Sequence, residues 1–173
     1  TVVIPKNAWL KGQSLDAEIG GSLNLKKEPQ KSFILLGSLK TIRGNYNFLQ
    51  KLFKFKKGTV AFLGIEDPNP NIDFEAATKI RKVEIIIRIG GTARDLRLTL
   101  DSDPSMEETD IVSYIMFGKP SKSLNDRDSA NVENAALGLT GQMAASELKS
   151  ILGDDFFLDM ITYETGDGED NKG

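Results

Sequence analysis

Ile72-Asp-Phe-Glu-Ala-Ala-Thr-Lys-Ile80, Ile85-Ile-Ile-Arg-Ile89 and Leu96-Arg-Leu-Thr-Leu100 decide the fold. In these segments Ile72, Phe74, Ala76, Thr78 and Ile80, then Ile85, Ile87, Ile89 and Gly91, then Leu96, Leu98 and Leu100 occupy every second position. Successive side chains on a strand point to opposite faces, so this spacing predicts a sheet with one apolar and one polar face. The polar face carries Asp73, Glu75, Lys79, Glu84, Arg88 and Arg97. The apolar face needs a cover, and through most of the chain no amphipathic helix is available to supply it.

Upstream, the same alternation recurs with interruptions. Leu39 and Thr41 hold one parity, Tyr46 and Phe48 the other, and Phe53 and Phe55 the first again. A one-residue slip would send these aromatics to solvent, so each change of parity predicts a bulge or a turn. Gly58 is expected at a hairpin before Val60 and Phe62. A short strand is expected to end at Ile4-Pro5 and a second to run from Trp9 to Ile19, continued by Ser22 to Lys26 beyond Gly20-Gly21. The connections are short, which favours seven or eight antiparallel strands in a meander.

The period changes at Asp101-Ser102-Asp103-Pro104, and the charge changes with it. Residues 1–100 hold 17 Lys/Arg against 9 Asp/Glu, and the remainder holds 5 against 16. Ser105 and Glu108 have capping-box spacing, predicting a helix that carries Ile111, Val112, Ile115 and Met116 and stops at Gly118. After a polar loop over 119–128, Val132, Ala135, Ala136, Leu139, Met143, Leu148, Ile151 and Leu152 predict a second amphipathic helix ending at Gly153. Phe156 to Tyr163 reads as a final strand and 166–173 as an acidic, frayed end. The expected organisation is a curled sheet over 1–104, a helical segment packing on it over 105–153, and that strand and tail over 154–173.

Function classes fall away on composition. The chain of 173 residues has no cysteine and no histidine, which removes sulfur chemistry, the commonest general base and the commonest zinc ligand. Gly118-Lys119 lacks the upstream glycine and the following Ser/Thr of a phosphate loop. Asp101, Asp103 and Asp110 lack the glycine and terminal glutamate of a calcium loop. Lys51-Leu-Phe-Lys-Phe-Lys-Lys57 interleaves aromatics with cations as single-strand nucleic acid platforms do, but lysines guarding the wet face of a strand give the same string. No enzyme, cofactor, metal or nucleic acid partner is called for.

The order Gly37-Ser-Leu39, Gly44-Asn-Tyr46-Asn-Phe48, Phe53-Lys-Phe55, Gly58-Thr-Val60-Ala-Phe62, Asn69-Pro70, Leu98-Thr-Leu100-Asp-Ser102-Asp-Pro104 and Asp110-Ile-Val-Ser-Tyr-Ile-Met-Phe-Gly118 resembles the C-terminal domain of the TamB family. Gln50 stands where that family usually has Gly, and Leu96 where it commonly has Pro. The family domain also continues into further strands, so the chain is expected to be cut from something longer. The resemblance implies a taco-shaped sheet with a hydrophobic inner groove, within an inner-membrane-anchored protein crossing the periplasm of a diderm bacterium. It implies phospholipid acyl chains as cargo, an outer-membrane Omp85-class partner (TamA or BamA), and support of outer-membrane β-barrel assembly or secretion, with nascent outer-membrane proteins as a further partner. On that reading Leu39, Tyr46, Phe48, Phe53, Phe55, Val60, Phe62, Ile72, Phe74, Ile85, Ile87, Ile89, Leu98 and Leu100 line the groove, and Ile111, Ile115 and Met116 form a helical plug. The alternative is a periplasmic holdase that binds unfolded outer-membrane strands by β-augmentation.

Overall fold

The computed structural model describes residues 1–12, 14–27, 34–66, 69–139 and 142–143. Seven long strands follow one another: β1 (Val2–Lys11), β2 (Leu15–Lys26), β3 (Ile34–Phe48), β4 (Lys51–Leu63), β5 (Asn71–Ile80), β6 (Val83–Thr92) and β7 (Asp95–Asp103). Helices α1 (Glu108–Phe117) and α2 (Asp126–Leu139) come next, then a two-residue strand β8 (Gln142–Met143). All eight strands form one antiparallel meander in sequence order. The sheet is curled and unclosed, and mostly β with two helices after it is the architecture the sequence called for.

The parity changes resolve into two bulges and a turn. On β3, Thr41 lies opposite Ile19 and Arg43 opposite Glu18, which leaves Ile42 as the extra residue. On β4, Phe55 lies opposite Ala76 and Lys57 opposite Glu75, so Lys56 is extra. Each bulge returns the next apolar residues to the inner face. Between them Leu49 and Gln50 close the β3–β4 hairpin with φ of 48° and 62°, both positive as in a type I′ turn.

Three expectations are corrected here. Pro5 does not end a strand: β1 runs through it to Lys11, because β1 is the sheet's edge and its pairing steps from Ile4–Gly21 to Ala8–Ile19. The chain then turns at Gly12, whose N–H donates to Leu15 O at 2.7 Å, so Trp9 and Ile19 belong to different strands. Gly58 is not at a hairpin but inside β4, opposite Phe74, whose ring takes up the space its side chain would fill.

The helical part departs in two further places. Helix α1 begins with Glu107 as N-cap and without a side-chain capping bond, so the capping box of Ser105 and Glu108 does not form. Met106 packs half-buried on the core, and Glu107 itself is extended, φ −62° and ψ 146°. Gly118 ends α1 in the left-handed conformation, φ 70°, with its N–H bonded to Tyr114 O, as expected. The loop over 119–128 contains a 3-10 turn at Ser121–Ser123, and α2 already starts at Asp126. Met143 is in a strand rather than in α2, because Gln142 and Met143 pair with Arg97 and Leu96 on β7. Leu148, Ile151, Leu152, the strand over 156–163 and the tail lie outside the described residues.

Candidate functional site: the apolar inner face

Alternation on β3 to β7 places every sequence-derived lining residue on one side of the sheet. Leu39, Tyr46, Phe53, Val60, Phe62, Ile72, Phe74, Ile85, Ile87, Ile89 and Leu98 are buried. Phe48, Phe55 and Leu100 are half-buried and packed against them. Rings follow one another along this face: Tyr46 and Phe48 stack at 6.4 Å, Phe48 and Phe53 meet tilted at 6.5 Å, and Phe55 and Phe74 at 6.2 Å. Sequence reasoning missed Leu15, Ala17 and Ile19, which extend the lining onto β2. Their own alternation was the available signal, hidden by assigning them to one strand with Trp9.

The face is covered, and the two helices contribute to the cover. Ile111, Val112 and Ile115 of α1 are each 2% exposed and belong to the same apolar cluster as the strand residues, along with Val132, Ala136 and Leu139 of α2. Met116 is half-buried at its margin. Two polar tethers fix α1. Ser113, fully buried, donates from Oγ to Lys119 O at 2.7 Å, and Asp110 Oδ1 accepts from Ser121 N at 2.9 Å. The Ser121 hydroxyl and N–H hold the Asp110 carboxyl below its ordinary range.

The outer face is its electrostatic opposite. Arg88 Nε bonds Glu75 Oε2 and Arg88 Nη1 bonds Asp101 Oδ2, each at 3.0 Å, so one guanidinium ties β5, β6 and β7 together. That contact, with the Ser102 N–H, lowers the Asp101 carboxyl. Lys57 pairs with Asp73 between β4 and β5. Near β1, Arg43 bonds the buried Glu18 at 2.6 Å and lies 5.5 Å from the ring centre of Trp9. Exposed pairs such as Lys57–Asp73 are worth little individually, so they select which face turns outward more than they stabilise the fold. Among the described residues no helix is long and apolar enough to cross a membrane, and no group of three acidic side chains could hold a metal ion.

The chain is thus a curled, unclosed meander with one apolar face, and α1 packs at its last long strand. The TamB C-terminal domain profile matches residues 1–172. The chain belongs to the TamB family. The translocation and assembly module subunit TamB of Haemophilus influenzae is 24% identical over 175 residues, covering 98% of this chain and 13% of that protein. The chain thus spans about an eighth of the TamB relative's length. No solved structure matches it.

Proposed function

We propose that this TamB domain is a non-enzymatic segment of a bridge across the periplasm, carrying phospholipid acyl chains along its apolar inner face towards the outer membrane and supporting assembly or secretion of outer-membrane β-barrel proteins. The observation that carries the reading is the continuous apolar face from β2 to β7, backed by charges on the other side. Burying a large aliphatic or aromatic side chain is worth about 1.5–3 kcal/mol, so such a face stays covered at all times. Acyl chains, protein helices or a partner all satisfy it. A non-directional apolar lining holds a tail without fixing its position, as passage requires.

On this reading the sheet over 1–104 is the conduit and the segment over 105–153 its plug, with α1 packed against β7 and tethered through Asp110 and Ser113. The inner-membrane anchor lies elsewhere in the longer protein, and an Omp85-class protein, TamA or BamA, receives the far end. The rival holdase reading is favoured by one feature: among the described residues β1 pairs on one side only, and Val2 and Val3 beside that edge are 58% and 66% exposed. Pro5 opposes it, since proline offers no N–H to an added strand.

A photo-crosslinker placed in cells at Ile72, Ile87 or Leu98 should capture phospholipid, while one at Asp73 or Arg97 should not. Equal capture from both faces would sink the conduit. Capture of polypeptide alone at the inner positions would transfer the argument to the holdase.

A further inference from the structure

A concavity of about 620 Å³ opens at one end of the sheet between β4, β5 and β6, beside the β3–β4 and β5–β6 turns; Lys54 and Lys79 belong to the polar face there, while Lys51, opposite Phe48, and Ile80, opposite Val83, have the inner parity. Lys51, Lys54, Lys56, Lys79 and Arg81 surround it, with Glu84 as the one acid. Elsewhere on the polar face Lys57 pairs with Asp73, and Arg88 with Glu75 and Asp101. These five have no ion-pair partner among the described residues. Clustered like charges repel, and the sheet gains nothing from gathering them.

The adjoining turn is also unusual. Leu49 sits at φ 48°, a backbone region unfavourable to leucine and one where Asn or Gly is the ordinary choice. Its side chain is 50% exposed, and Leu52, which lines the concavity, is 53% exposed. A strained apolar side chain left in water beside unpaired cations serves neither packing nor solubility. Both features fit one kind of surface, in which apolar tips enter the acyl boundary and Lys/Arg lie at the phosphate level. Phe53 and Phe55 point to the other face, so the site has no stacking platform for bases.

We propose that this end of the sheet docks on an anionic phospholipid bilayer: the basic concavity takes headgroup phosphates while Leu49 and Leu52 enter the interface. The site is at the end of the sheet beside the two turns and stands whether or not the inner face carries lipid. Its chemistry is phosphate recognition, which a soluble phosphate could also satisfy, so the source is tested directly. The 173-residue chain is sedimented with vesicles of phosphatidylcholine alone or with a quarter phosphatidylglycerol. Partitioning should require phosphatidylglycerol and fall with rising salt. Lys51→Gln/Lys54→Gln/Lys79→Gln should weaken it about 100-fold, at roughly fivefold per cation. Leu49→Asn should weaken it several-fold while keeping or raising the melting temperature, because Asn suits the positive φ. Removing the same charge elsewhere, as Lys40→Gln/Lys122→Gln/Arg127→Gln, should have little effect. Equal binding to neutral vesicles, equal loss in the remote variant, or native partitioning by Leu49→Asn overturns the proposal. So does release by low-millimolar inorganic phosphate, which would make a soluble anion the ligand, or patch-dependent binding of polyglutamate without vesicle binding, which would make it an acidic polypeptide.

Discussion

Ile115→Ala separates a fixed plug from a displaceable lid. Ile115 is 2% exposed, and alanine removes three of its carbons, so the transfer loss is about 2.4 kcal/mol at ~0.8 kcal/mol per buried CH2. Ser113 and Asp110 anchor the same helix on the side of the following loop and limit its collapse into the space left, so a cavity contribution brings the total to about 3–4 kcal/mol. For a chain of this size that corresponds to a fall in melting temperature of roughly 10 °C. Leu137→Ala on α2, where the side chain is 73% exposed, is the internal control and should stay within about 0.5 kcal/mol of the parent. Melting followed by circular dichroism gives stability, and native mass spectrometry gives lipid per folded molecule. A plug predicts the large loss of stability with unchanged lipid per folded molecule. A nearly unchanged melting temperature with higher lipid occupancy would refute it and make α1 a lid.

Other perturbations read other parts of the molecule. Gly58→Ala would place a Cβ 2.7 Å from Phe74 Cε1 and 2.4 Å from Thr41 Oγ1, so overpacking should cost about 1–3 kcal/mol in denaturant unfolding. Phe74→Leu in the same chain should relieve part of that cost, and strict additivity of the two changes would argue against the contact. Asp110 has a lowered carboxyl pKa, so its contribution is present above the unfolded value near pH 4 and fades as pH falls through that value and the lower folded one. The stability gap between the parent and Asp110→Asn should therefore be largest near neutral pH and close under acid; a gap that persists at pH 2 would refute the ionic contribution. Ile87→Glu puts a carboxylate on the inner face at a cost of several kcal/mol to a passing acyl chain. Loss of complementation in cells is expected, and full complementation by a normally folded variant would exclude a continuous lipid path there.

The legible parts of the fold were those written in local periodicity. Strands β5 to β7 alternate almost without a break, Ala77 being the buried off-parity residue on β5, and the parity jumps around Ile42 and Leu49-Gln50 announced an inserted residue or a turn. What escaped depended on position in the sheet. Pro5 ends most strands, but at an edge its missing N–H deprives no neighbour, so β1 continues through it. Gly58 has the composition of a turn, and only the presence of Phe74 on the adjacent strand makes it an interior residue. Met143 fits a helical period, yet the open edge of β7 supplies hydrogen bonds that a helix interrupted by Gly138 and Gly141 competes with poorly. For the inner face, residue types and parity picked out residues that are buried or half-buried on one side of the sheet, while Leu15, Ala17 and Ile19 waited on the true boundary between β1 and β2.

The bulges at Ile42 and Lys56 give this sheet something close to a coding frame with a period of two. Loss or gain of a single residue within a long strand is a frameshift, exchanging every later side chain between oil and water until a second odd change restores phase. Insertions of two residues, or of complete hairpins, are silent in that frame. A lineage can therefore lengthen such a sheet hairpin by hairpin without redesigning either face, whereas an isolated one-residue indel is filtered out unless a bulge absorbs it. Ile42 and Lys56 mark where one extra residue is accommodated without inverting the sheet.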